Sequence, residues 1–135
     1  MSQFAVGFIG AGNMGGALLA GICAKRPDLK VAAYDVSPAA CEKVEKLGGV
    51  VCGSLRELVQ KSSIVFIAVK PQYFGEVLPQ VKEALQKRTR VISITPGFDF
   101  AYLHKELGEY AALTRTIPNM PAMVGEGITL ISFEE

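Results

Sequence analysis

Val6 to Gly21 reads VGFIGAGNMGGALLAG, and the fold follows from how this stretch is read. Ala5, Val6, Phe8 and Ile9 form a short apolar run suited to a buried parallel strand, and Ala17, Leu18, Leu19 and Ile22 then recur at helical spacing. Between them stand Gly10, Gly12 and Gly15 in the order G-x-G-x-x-G. In a dinucleotide-binding turn the first glycine permits a tight exit from the strand, the second lets backbone approach a pyrophosphate, and the third lets the helix pack closely on the sheet. The phosphates then face the unpaired amides and the positive dipole end of the helix. Asp35, 20 residues beyond Gly15 at the end of the next apolar run, is the acid that accompanies such a turn, able to accept from a ribose 2′-hydroxyl.

A chain of 135 residues, 50% hydrophobic and 20% charged, buries one good core, so a single domain spanning residues 1–135 is expected. A formal net charge of +1 supplies no field for nucleic acid. Cys23, Cys41 and Cys52 have no C-x-x-C spacing, which argues against a disulfide framework or a metal site and for reduced thiols in a cytoplasmic protein. Met1-Ser2-Gln3 leads straight into a strand with no basic leader, and no apolar run approaches the ~18 residues of a membrane span.

Outward from the glycine turn, Lys30 to Tyr34 makes a second strand closed by Asp35, and Ser37-Pro38 starts a helix running to about Leu47, where Gly48 and Gly49 stop it. Val50 to Cys52 is a short third strand, and Ser54 with Glu57 forms a capping box over a helix whose buried stripe is Leu55, Leu58 and Val59. Ile64 to Val69 has no polar alternation, which marks a central strand covered on both faces. A helix from Phe74 to about Gln86, a strand from Arg90 to Ile94, a helix capped by Asp99, and strands at Ala111–Ile117 and Ile128–Phe133 complete the pattern. Such βαβα alternation predicts an α/β fold, a doubly wound, mostly parallel Rossmann-type sheet with helices on both faces. Ligands of that fold lie beyond the carboxyl ends of the strands, here at Gly10–Gly15, Asp35–Ser37, Val69–Pro71 and Thr95–Gly97.

At those ends the chain carries GFIGAGNMGGAL, AVKPQ at Ala68–Gln72, SITPG at Ser93–Gly97, and RTIPNMPAMVGEG at Arg115–Gly127, and with these four motifs in order it resembles the pyrroline-5-carboxylate reductase family across essentially its whole length. The resemblance implies NAD(P)H-dependent reduction of a cyclic imine, 1-pyrroline-5-carboxylate, to L-proline in proline biosynthesis. It implies that Gly10, Ala11, Gly12, Asn13, Met14 and Gly15 form the pyrophosphate turn and that Ser37 contacts the adenosine ribose or its phosphate. Ala68, Val69, Lys70 and Pro71 would run along the cofactor, Ile94, Thr95 and Pro96 would lie near its nicotinamide end, and Asn119, Met120 and Pro121 would border the substrate cleft. The family has small alanines where this chain has Thr95 and Pro96, and a methionine and a threonine where it has Ile117 and Met120. Its members continue into a helical dimerisation domain beyond the stretch matched here, which implies a homo-oligomer for a full-length protein.

Cofactor preference stays open between NADP and NAD: Asp35 would repel a 2′-phosphate, whereas Ser37 and the resemblance point to NADPH. Lys70 is read as a cofactor contact on its K-P context. His104, the one histidine, sits beside Lys105 and Glu106 on a helix face expected to be exposed, so no catalytic residue is assigned. Tyr73, Tyr102 and Tyr110 are read as packing residues, and the loop positions of Met14 and Met120 favour ligand contact. Alternatives from other classes are a non-catalytic NAD(P)-sensing module and a Rossmann dehydrogenase of the hydroxyacid or 6-phosphogluconate type.

Overall fold

The structure, a computed structural model, describes residues 3–95, 97–108, 111–117 and 130–133. In chain order the elements are β1 Phe4–Ile9, α1 Asn13–Lys25, β2 Val31–Tyr34, α2 Pro38–Lys46, β3 Val50–Val51, α3 Leu55–Lys61, β4 Ser62–Ile67, α4 Phe74–Ala84, β5 Arg90–Ser93, α5 Phe100–Leu107, β6 Ala112–Ile117 and β7 Leu130–Phe133. They form one sheet in the order β3-β2-β1-β4-β5-β6-β7, parallel throughout except for the β6–β7 pair. This is the expected doubly wound α/β fold. The order reverses between β1 and β4, so the crevice of the fold opens over the glycine turn that follows β1.

Both faces of the sheet are covered, as the apolar strands require. Val6 and Phe8 of β1 and Val31 and Ala33 of β2 pack under Leu19 of α1 and Val44 of α2. On the opposite face Ile9, Val65, Ile67 and Val91 pack against α3, α4 and α5, with Leu58, Leu78 and Leu103 fully buried. Each such side chain removed from water contributes about 1.5–3 kcal/mol.

Local chemistry sets the helix starts. The Ser37 hydroxyl accepts from the Ala40 amide at 3.3 Å, with Pro38 as the first helical residue of α2. Ser54 accepts from Glu57 at 3.1 Å, and Asp99 from Tyr102 at 2.8 Å. A cap of this kind is worth about 1 kcal/mol.

Several boundaries differ from expectation. The strand placed at Ile64–Val69 runs from Ser62 to Ile67, because the Ser62 hydroxyl donates to the Leu58 carbonyl at 2.6 Å and closes α3 directly into β4. Ala68 and Val69 therefore belong to the loop beyond the strand. Residues 71–73 form a single tight turn before α4, and β3 is only two residues long; of the strand expected at Ile128–Phe133, Leu130–Phe133 is β7 and Ile128 and Thr129 lie outside the described residues. Tyr102 packs on Phe98 as expected (ring centroids 4.9 Å apart), but Tyr73 is half exposed rather than packed. Tyr110 lies outside the described residues.

Candidate functional site

The β1–α1 turn is built by close approach. Gly10 has φ +94°, and a Cβ there would come within 2.9 Å of the Ala68 carbonyl oxygen. A Cβ on Gly15 would stand 2.5 Å from the Gly10 oxygen and 2.8 Å from the Ala68 Cβ, so α1 can lie this near β1 and β4 only with glycine there. Gly12 is different: a Cβ added to it would meet nothing within 4 Å. Its backbone faces open space, and it is the N-cap of α1 with no side-chain capping bond and no acid in the first turn. The amides of that first turn and the helix dipole together make a seat for an anion.

Asp35 stands beside this turn. Its Oδ2 accepts from the Ala11 amide and its Oδ1 from the Ser37 amide, both at 2.8 Å. The carboxylate thereby joins the glycine turn to the loop that leads into α2. The Ser37 hydroxyl, an acceptor toward Ala40, keeps its own proton for a further acceptor. Cys41 adds a bond from its thiol to the Asp35 carbonyl at 3.3 Å.

Between α1 and α2 lies a groove of about 380 Å³, with Gly12, Asn13 and Ser37 at one end and Val44 and Leu47 at the other. Its wall is apolar apart from Asn13, Ser37 and Lys43. Lys43 escaped the sequence reading. The signal was the spacing Ala40, Lys43, Val44, Leu47, which puts a cation on the face of α2 that carries its apolar stripe.

On the other side of the crevice, the Ala68 amide donates to the Ile9 carbonyl at 2.8 Å, and the Thr95 hydroxyl donates to the Val69 carbonyl at 2.8 Å. Phe98 stacks on Phe74 with centroids 4.2 Å apart. Lys70 and Pro71 are exposed at the rim, Ile94 and Thr95 are buried, and Met14, expected in a loop, is instead a half-buried residue in the first turn of α1, because the helix starts directly after Gly12. The structure thus gathers Gly10 to Gly15, Asp35, Ser37, Ala68 to Pro71, Ile94 and Thr95 along the carboxyl edge of the sheet. Pro96, Asn119, Met120 and Pro121 lie outside the described residues. His104 is half-buried, with Nδ1 3.0 Å from the Gly108 carbonyl at the end of its helix. Among the described residues no cluster of His, Cys, Asp or Glu could hold a metal ion, and no helix is long and apolar enough to cross a membrane.

With this geometry in place, comparison with known proteins adds the family. Residues 5–97 match the family described as NADP oxidoreductase, coenzyme F420-dependent. Pyrroline-5-carboxylate reductase of Escherichia coli (strain K12) is 35% identical over 130 residues, which are 94% of this chain and 48% of that protein. A pyrroline-5-carboxylate reductase structure from Coxiella burnetii superposes with a TM-score of 0.90 at 28% identity, over 99% of this chain and 51% of that one. The Plasmodium falciparum pyrroline carboxylate reductase, solved with NADP bound, gives a TM-score of 0.83 at 28% identity, over 100% of this chain and 50% of that one. The chain spans about half the length of the curated relatives it matches. It belongs to the NADP oxidoreductase, coenzyme F420-dependent, family, and within it is an NAD(P)-binding domain of the pyrroline-5-carboxylate reductase kind.

Proposed function

We propose that this chain holds the nicotinamide cofactor of a reductase that converts 1-pyrroline-5-carboxylate to L-proline, with NADPH the preferred donor. The observation that carries the cofactor half is the contrast between Gly12 and Gly15. One glycine is required by close packing, whereas a Cβ on the other would meet nothing in the chain, and it borders open space at a helix N-terminus. An anion approaching that backbone explains Gly12, and a pyrophosphate fits it.

The chain's own groups divide the work. The amides opening α1 bind the pyrophosphate, and Asp35 keeps that turn and the β2–α2 loop in register through Ala11 and Ser37. Ser37 and Lys43, both on the wall of the α1–α2 groove, receive a 2′-phosphate. Ala68 to Pro71 and Ile94 to Thr95 wall the nicotinamide end and keep water from it, with Asn119, Met120 and Pro121 on the substrate side. When bound, the reduced dinucleotide supplies the hydride; the protein's contribution is to hold its reactive face against the imine carbon.

The substrate half rests on the relatives, which are named as pyrroline-5-carboxylate reductases over nearly this entire chain. The test is a pair of measurements on the gene product as the cell makes it. Calorimetric titration with NADPH and NADH is expected to give saturable binding, tighter for NADPH. Oxidation of NADPH is expected to depend on added pyrroline-5-carboxylate. Binding without that dependence would leave a nucleotide-sensing module, and absence of binding would remove the proposal entirely.

A further inference from the structure

Thr95 stands where the strand ends of β4 and β5 meet, and its hydroxyl is directed into the protein. It donates to the Val69 carbonyl at 2.8 Å across 26 residues of sequence, and the residue is only 7% exposed. A threonine hydroxyl has one proton. Spent on Val69, that proton is withheld from any ligand lying over β5. A second contact, the Phe98–Phe74 stack, joins a residue after β5 to the first residue of α4. Two residues before Thr95, the buried Ser93 hydroxyl has no hydrogen-bond partner among the described residues. A buried hydroxyl in this part of β5 is therefore not by itself a sign of a bond that matters.

We propose that Thr95 is a positioning residue for the nicotinamide half of the cofactor: its hydroxyl clamps the Val69 carbonyl and so fixes the spacing of the two loops that wall that half, without itself donating to the ligand. The placement of the ligand rests on the dinucleotide reading given above. In this sheet order a dinucleotide with its pyrophosphate at the β1–α1 turn extends its adenosine over β2 and its other half over β4 and β5. Loss of the clamp therefore loosens one half of the site and leaves the other alone.

The test compares whole dinucleotides with fragments that lack nicotinamide. Affinities for NADH and ADP-ribose, and for NADPH and 2′-phospho-ADP-ribose, are measured by titration for the native protein and for Thr95→Val, Thr95→Ser and Ser93→Ala. Thr95→Val, close in shape but without the hydroxyl, is expected to weaken the dinucleotides by about three- to tenfold, the range of one ordinary hydrogen bond, while both fragments bind as before. Thr95→Ser keeps the donor and restores binding, and Ser93→Ala leaves all four affinities unchanged. Equal weakening of fragments and dinucleotides in Thr95→Val, or no weakening of either, overturns the assignment. If Thr95→Val does not fold, the same comparison between Thr95→Ala and Thr95→Ser decides it. Failure of the native protein to bind any of the four ligands would instead remove the dinucleotide reading, and the clamp with it.

Discussion

The Ala11 amide donates to the Asp35 carboxylate across 2.8 Å, joining residues 24 apart in the chain. The other carboxylate oxygen accepts from Ser37, so one side chain holds the glycine turn and the entry to α2 in a fixed relation. Replacing Asp35 by Ala leaves a partly buried amide without its acceptor, a loss of about 1–3 kcal/mol. The expected result is a lower denaturation midpoint with an unchanged slope, together with weaker binding of NADH and NADPH alike. A midpoint equal to that of the native protein would mean that the carboxylate contributes only its charge.

Gly12 and Gly15 separate binding from folding. Gly12 has free space at its Cβ position, so Gly12→Val is expected to leave a folded domain at a cost of about 1–2 kcal/mol for the altered cap. It is expected to abolish dinucleotide binding. Gly15→Ala thrusts a methyl group against the Gly10 oxygen and the Ala68 Cβ, and is expected to cost about 1–3 kcal/mol in stability whether or not ligand is present. Thermal melts with and without NADPH distinguish them: Gly12→Val should lose the ligand-induced rise in Tm and Gly15→Ala should lower the baseline. The reverse pattern would exchange the roles of the two glycines.

The turn, the acid and the alternation of strands and helices were legible in the sequence because each is a local pattern: glycines at fixed spacing, Asp35 at the end of an apolar run, capping serines before helices. The end of β4 was not. Ile64 to Val69 is uniformly apolar, and hydropathy does not distinguish a strand residue such as Ile67 from a loop residue such as Val69 held by the Thr95 hydroxyl. Nor could spacing reveal that both oxygens of Asp35 are engaged by backbone amides, since that depends on the distance between two loops. Lys43 was overlooked for a related reason: beside Glu42 and Glu45 it reads as one charge of a solvated face, and only the packing of α2 along α1 puts it on a groove.

The three thiols differ in surroundings. Burial pushes the Cys52 thiol up, with Glu57 adding to the effect and Lys61 opposing it, whereas Cys23 is raised by burial alone and lies half exposed. Because the thiolate is the reactive form, Cys52 is expected to be the last of the three alkylated by iodoacetamide, and to react readily once urea unfolds the chain. The linked effect on stability has a definite sign. An acid whose folded-state pKa is raised stabilises below the ordinary thiol range, and that contribution is lost as pH rises through and above it. Peptide mass spectrometry after timed alkylation checks the order, and early labelling of Cys52 in native buffer would contradict its burial.

Lys43 provides the sharpest test of cofactor preference. An unengaged carboxylate at the end of β2 would favour NADH by accepting from the 2′-hydroxyl and repelling a 2′-phosphate. Here Asp35 is turned to the amides of Ala11 and Ser37, and in the proposed site the proton of Ser37 and the charge of Lys43 would meet the phosphate. Lys43 is exposed and has no salt bridge among the described residues, while neighbouring Lys46 pairs with Glu42 at 3.2 Å. A solvated pair of this kind contributes modestly, about 0.5–1 kcal/mol, so Lys43→Met is expected to weaken NADPH by roughly two- to fivefold. NADH, lacking the phosphate, should bind Lys43→Met as it binds the native protein. The difference should shrink as salt is raised, because exposed charges farther apart than about 10 Å are screened at 0.1 M and nearer ones progressively beyond it. Isothermal titration of both cofactors at low and high salt gives all four numbers. Equal loss for NADH and NADPH would make Lys43 part of the common site, and no loss for either would leave preference to Ser37 and the backbone around it.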